Sequence, residues 1–218
     1  MTATTSKLDA LRQRLYEATL GHVAFDGWTA KALRAGAKSA GASAADIARA
    51  FPGGAHDLLD FHLQDADRKM IAAMRGGRVR RMKLGERVAF ALRSRLEAAE
   101  PHREAVRRAL IALALPSHAR IAARGLMRTV DAIWREAGDR STDFSYYTKR
   151  ASLAAIYTAT LLFWLDDDSE GRQATWDFLE RRLAGIARIG RLRRRAESAL
   201  DALRTGVPFV ERILRAQR

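Results

Sequence analysis

"ATLGHVAFDGWTAKALRAGAKSAGASAADIARAFPGGAHDLLDFHL", residues 18–63, carries the signals that decide the fold. Leading into it, Leu8, Leu11, Leu15, Thr19, His22 and Val23 recur every three or four positions, the stripe of one helix face, and Gly27 stops that helix. Thr29 is placed to cap a short second helix that ends near Gly41. Ser43, with Asp46 three positions on, forms a capping-box signature for a short third helix. Phe51-Pro52-Gly53-Gly54 ends it, and a fourth helix is expected from about His56 to Arg75, before Gly76-Gly77.

Three short helices followed by longer ones resemble the N-terminal helix-turn-helix of TetR-type repressors. The glycine after the first helix, Gly41 in the turn and the aromatic-Pro-Gly exit all fit. The chemistry of DNA binding fits less well. A helix in the major groove needs cations for phosphates and arginine, asparagine or glutamine for bases. The third helix, about Ser43 to Ala50, offers Ser43, Asp46 and Arg49 among alanines, and Asp46 would repel phosphate. Lys31, Arg34 and Lys38 on the second helix could touch phosphates. Yet residues 1–70 carry 9 basic and 8 acidic side chains, so they are nearly neutral in a chain of net charge +14. No specific DNA binding is expected.

The basic excess lies elsewhere: 14 basic against 4 acidic residues over 71–130, and 9 against 3 over 188–218. A phospholipid surface or nucleic acid could match it, and so could plain solvation of an arginine-rich surface. Nothing reads as a strand. Further helices are expected at roughly 83–99, 102–114, 117–137, 143–165 and 170–189, with a last one from about Leu192 interrupted at Gly206-Val207-Pro208. The fold class is therefore all-α, a TetR-like bundle of about ten helices. Its expected parts are a helix-turn-helix-like unit over 1–54, a ligand-binding and dimerisation domain over 55–190, and a basic amphipathic helix over 191–218.

The absence of cysteine excludes disulfides, thiol nucleophiles and cysteine-held zinc. His22, His56, His62, His102 and His118 lack metal-ligand spacing, and most are expected at the surface or half-buried. "DDDSE", Asp166 to Glu170, reads as the end of one helix and the cap of the next. No nucleophile elbow, P-loop or dinucleotide loop is present, so a non-catalytic role without cofactor or metal is expected. The longest uncharged run, Ala151 to Leu165, falls short of the ~20 apolar residues that span a bilayer. With no apolar signal core after Met1, the expected location is cytoplasmic, peripheral to the inner membrane of a bacterial-type cell.

"GDRSTDFSYYTKRASLAAIYTATLLFWLDDD", residues 138–168, joins a polar capping run to a helix that is apolar nearly all round. Such a helix must be covered on every side, so it is expected at the centre of a bundle or at a subunit interface, with Thr175–Ile189 as its antiparallel neighbour. A four-helix homodimer interface follows if the TetR-type arrangement holds. Tyr146 and Tyr147 point about 100° apart, so at least one should reach the surface. Either they pack on neighbouring helices or a partner docks there.

"AGDRSTDFSYYTKRASLAAIYTAT", "TWDFLERRL" and "DGWTAKAL" resemble the Coq-nine family, accessory proteins of ubiquinone biosynthesis, over about Leu15 to Leu200. The resemblance implies a TetR-like fold without DNA binding, a dimer and a hydrophobic pocket for an isoprenoid lipid or quinone precursor. It also implies a protein partner, the di-iron demethoxyubiquinone hydroxylase. The family's partner patch maps onto Asp143, Tyr146, Tyr147, Leu115 and Pro116. Relatives have tryptophan at the first aromatic and methionines before the Leu-Pro turn, where this chain has Tyr146, Leu113 and Ala114. Pocket-lining residues are not implied. In the C-terminal stretch Leu192, Leu200, Leu203, Val210 and Leu214 recur at near-helical spacing beside Arg193, Arg194 and Arg195. That pattern suits an anionic membrane surface, as the family also implies; packing on the protein's own body is the rival. The expected function is therefore a lipid-binding accessory protein that presents a quinone precursor to the hydroxylase. The alternative is a TetR-type regulator with a hydrophobic ligand.

Overall fold

The computed structural model describes residues 2–139 and 144–185. Nine α-helices and four short 3-10 turns make up the regular structure among them, and no strand. They are α1 (Thr2–Asp26), α2 (Ala30–Ser39), α3 (Ala44–Ala50), α4 (Ala55–Met74), α5 (Leu84–Glu97), α6 (Arg103–Leu113), α7 (Ala119–Ala137), α8 (Phe144–Asp166) and α9 (173–185). The tenth expected helix, over 191–218, lies outside the described residues. The 3-10 turns sit before α5, α6, α7 and α9, at Val79–Arg81, Glu100–His102, Pro116–His118 and Glu170–Arg172. The turn at Glu170–Arg172 falls within the helix expected over 170–189, and those at 100–102 and 116–118 overlap the starts of the helices expected there.

Local chemistry sets the ends. The Thr29 side chain accepts from the Ala32 amide at 3.3 Å to start α2. Ser43 and Asp46 close the expected capping box at α3, the Asp46 amide donating to Ser43 Oγ at 3.2 Å and the Ser43 amide to Asp46 at 2.9 Å. Gly138 leaves α7 at φ +90, the left-handed conformation that glycine takes without a Cβ penalty.

Two cores follow. In the head, Leu15, Tyr16, Leu20, Val23, Trp28, Leu33 and Phe51 pack with Leu58, Leu59 and Phe61 of α4 and with Ala105 and Ala109 of α6. In the body, Met70 and Met74 of α4 pack with Leu92 and Leu96 of α5, Val130 and Ile133 of α7, Leu153 and Trp164 of α8, and Trp176 and Leu179 of α9. Helix α4 thus serves both cores, and the head's core continues past residue 54. The Trp28 indole donates to the Ala105 carbonyl at 3.0 Å, fixing the α1–α2 turn against α6.

Helices α1 and α2 approach so closely that a Cβ on Gly36 would fall 2.6 Å from the Cα of Thr19. Backbone cannot yield there as a flexible side chain would. Gly36→Ala is expected to cost about 1–3 kcal/mol, the usual range for overpacking. Thermal unfolding of the two proteins measures the difference.

Candidate functional site

The body is pinned by a buried charge cluster. Asp67 of α4 and Arg95 of α5 are each 4% exposed and form an ion pair of 2.9 Å between Oδ1 and Nη1. The same Asp67 oxygen accepts from Thr129 Oγ1 of α7 at 2.7 Å, and its other oxygen accepts from Arg128 Nε at 3.0 Å. Arg95 Nε donates to the Tyr157 hydroxyl of α8 at 2.9 Å. Burial opposes the Arg95 charge, but Tyr157 and Asp67 outweigh it and push its pKa above the ordinary value. Four helices therefore meet on one carboxylate and one guanidinium.

At the rim of this cluster His62 hydrogen-bonds Tyr16 between Nδ1 and Oη at 2.9 Å and packs on the Trp28 ring at 4.5 Å. His62 is buried, while His22, His56, His102 and His118 are exposed or half-buried, as expected for most of the five. Burial lowers its pKa to about 3, helped by the nearby Arg95 charge, so the ring is neutral at ordinary pH. Asp67 and Arg95 are not among the expected site residues, although the sequence carries a signal for them. Asp67 continues the stripe of Leu63, Met70 and Met74, and Arg95 sits among Val88, Ala91 and Leu92. A charge on an apolar stripe is buried and paired.

The expected partner residues fall in two places. Tyr147 is 70% exposed on the first turns of α8, while Tyr146 is half-buried with its ring centroid 5.2 Å away, edge-on. The Arg150 guanidinium covers Tyr146 at 3.3 Å from the ring centroid and is itself held by Asp131 of α7. Lys149 reaches Asp139 at 2.7 Å and stands over the Trp134 ring. The rings thus sit on a charge-braced junction between the end of α7 and the start of α8. Leu115 is 51% exposed, and Leu115 and Pro116 precede α7 at its other end. Tyr146 lies by Arg150, which pairs with Asp131, 12 residues and about 18 Å along α7 from its start at 1.5 Å per residue. The structure does not join them into one compact patch. Asp143, Leu192, Arg193, Arg194, Arg195, Leu200, Leu203, Val210 and Leu214 lie outside the described residues.

Helix α8 buries Leu153, Ile156, Tyr157, Leu161, Trp164 and Leu165 on one side. The other side leaves Leu162 53% and Phe163 37% exposed, with Phe163 stacked on Phe178 of α9 at 4.8 Å. So among the described residues α8 is not covered all round. A groove of about 420 Å³ runs beside Ala159, Leu162, Phe163 and Asp166. At the α8–α9 corner the Asp167 carboxylate accepts from the Ser169 amide at 2.9 Å, the Thr175 amide at 2.8 Å and the Thr175 hydroxyl at 2.5 Å. Burial works against that carboxylate, but these bonds hold its pKa well below the usual range. The acidic run is a helix cap, and among the described residues no group of three or more His, Asp or Glu could hold a metal. No described helix is long and apolar enough to cross a membrane.

Two of the charges considered for DNA contact in the head are engaged within it. Asp46 is engaged in the α3 cap and pairs with Arg49, and Lys31 pairs with Asp26 at 2.7 Å. Hydrogen bonds from Ser43 keep the Asp46 pKa low, so the carboxylate stays charged where a phosphate would come.

These helices have the TetR fold. The crystal structure of a TetR transcriptional regulator from Nitrosomonas europaea matches 82% of this chain and 98% of its own, with a TM-score of 0.68 at 22% identity. The chain belongs to the COQ9 family. It is 33% identical to the human ubiquinone biosynthesis protein COQ9, mitochondrial, over 91% of this chain and 64% of that protein. It is 32% identical to COQ9-B of Xenopus laevis over 91% of this chain and 70% of that protein, and 29% identical to coq9 of Schizosaccharomyces pombe. The COQ9 family model matches residues 119–190, from α7 onward. The chain spans about 64% of the length of its human relative.

The folded pKa of His62 lies below the unfolded value of 6.5, so its share of stability is complete above about pH 6.5. That share is lost as the pH falls from there through about 3. The slope from one such group is at most about 1.4 kcal/mol per pH unit. His62→Gln should flatten the fall in stability over this window, read by denaturant titration at successive pH values.

Proposed function

We propose that the chain is a non-catalytic accessory protein of ubiquinone biosynthesis. It binds an isoprenoid quinone precursor and presents the head group to the di-iron demethoxyubiquinone hydroxylase, as a homodimer peripheral to the membrane. The observation that carries this reading is the uncovered apolar strip on α8, Leu162 and Phe163 beside Phe178. A second copy laid on that strip would cover the open 420 Å³ groove, which is apolar at Ala159, Leu162 and Phe163 and acidic at its end through Asp166, Asp167 and Asp168. Burial of the prenyl tail supplies the driving force, about 25 cal/mol per Å² of apolar surface removed from water. The names of the COQ9 relatives and the poverty of the head in base-reading side chains support the same reading over that of a regulator. Tyr147, exposed on a braced junction, is the docking point for the hydroxylase, with Tyr146 beneath it.

Organic extraction of the purified protein followed by mass spectrometry should release an isoprenoid lipid. Tight, sequence-selective DNA binding with no lipid released would replace this reading by that of a regulator. Leu162→Asp places a charge in the strip and should give a monomer by light scattering that no longer retains the lipid. The double substitution Tyr146→Ala, Tyr147→Ala should weaken association with the hydroxylase, measured by pull-down or calorimetry, with helix content unchanged. Unaltered affinity would return both rings to a packing role.

A further inference from the structure

The turn between α4 and α5 reads "RGGRVRRMKL", residues 75–84. It carries Arg75, Arg78, Arg80, Arg81 and Lys83 and no acidic residue, and all five side chains are exposed. Among the described residues none of the five has an ion-pair partner. Arg95, Arg107, Arg128 and Arg172 elsewhere in the body are paired, whereas Arg120 and Arg124 on α7 are, like the turn, without an ion pair among the described residues.

The turn is a built feature. Val79 is buried as its anchor, 3% exposed. The Arg87 side chain donates to three carbonyls, Met82 at 2.9 Å, Ala137 at 3.0 Å and Arg80 at 3.0 Å. This fork ties the turn to the end of α7. Lys149 of α8 ties to Asp139 just beyond it, so the basic turn and Tyr147 share one end of the bundle. The two nearby acids are Glu86, whose carboxylate accepts from the Lys83 amide, and Glu136, which lies with Arg135 at 3.8 Å. Glu136 also lines the cleft of about 390 Å³ between Arg75, Arg80 and Arg87.

We infer that residues 75–84 are a contact site for an anionic phospholipid surface. The site adds to the membrane contact expected of residues 191–218, and it stands whether or not the chain carries an isoprenoid. Each exposed cation gains attraction to the negative leaflet, and Leu84, 42% exposed, supplies an apolar residue at the same turn. The residue types favour lipid over nucleic acid. The turn has no aromatic ring to stack on bases and no asparagine or glutamine to pair with adenine, so its arginines alone could read a base, while Leu84 adds an apolar contact that suits lipid. Docked this way, the molecule meets the bilayer with the end that bears Tyr147, while the head points away.

The test uses the full chain and vesicles of phosphatidylcholine with and without phosphatidylglycerol, read by co-sedimentation. The fourfold variant Arg78→Gln, Arg80→Gln, Arg81→Gln, Lys83→Gln should bind the anionic vesicles roughly tenfold or more weakly. Its thermal midpoint should match the parent, because these side chains hold nothing in the fold. Arg78→Lys, Arg80→Lys, Arg81→Lys keeps the charge and should bind as the parent does. Unchanged partition of the glutamine variant would overturn the inference. So would complete loss of binding on substituting Arg193, Arg194 and Arg195 by Gln with the turn intact. A duplex DNA that binds through the same four residues more tightly than the vesicles do, at equal salt, would assign the site to nucleic acid instead. The lipid-extraction experiment is independent of all these outcomes.

Discussion

The ion pair between Asp67 and Arg95 is the contact on which the body of this protein depends. Two buried charges each lose hydration worth several kcal/mol, and only close pairing with further hydrogen bonds offsets that loss. Here the offset comes from Arg128 and Thr129 on α7 and from Tyr157 on α8. Apolar packing alone would let these helices slide by fractions of a turn at small cost. The charged cluster forbids that, because a shift of any helix strands a charge away from water. The relative placement of α4, α5, α7 and α8 is therefore fixed by directional bonds, with Leu92, Ile133 and Trp164 filling the space around them.

Rigidity in the body passes to the head through α4. Its first half belongs to the head core through Leu58, Leu59 and Phe61, and its second half to the body core through Met70 and Met74. Tyr16 and His62 hydrogen-bond close to Arg95, so the head also meets the charged cluster. A head fixed this firmly is part of the molecule's structure. Its α3 has spent its only acid and its only arginine on each other and on a cap. What remains on that helix is alanine and isoleucine, which read no bases.

The helix ends were legible in the sequence because capping is local. Thr29, Ser43 and Asp46 act on amides three residues away, and the linear pattern contains everything that matters. The charged turn at 75–84 was legible as composition, while its rigidity was not, since Arg87 braces it by reaching the far end of α7. The candidate site was legible only in part. Adjacent residues on a helix must diverge, and accordingly Tyr147 is exposed while Tyr146 is half-buried under Arg150. How far Leu115 and Pro116 stand from them depends on where α7 begins and which part of it α8 packs on. The uncovered side of α8 was hidden for a different reason: an all-apolar sequence does not say which of its faces the chain itself will cover.

By itself the sequence determined the all-helical architecture, the caps, the neutrality of the head against the basic body, and the family through its long shared motif. These are properties of composition and of neighbours within one or two helical turns. Only the tertiary structure decided that Asp67 would meet Arg95, that His62 would be buried and neutral, and that Leu162 and Phe163 would be left open. Each of those outcomes rests on contacts between residues far apart in the chain. An aspartate bound for the core and one bound for solvent are the same residue until the helices close around one of them.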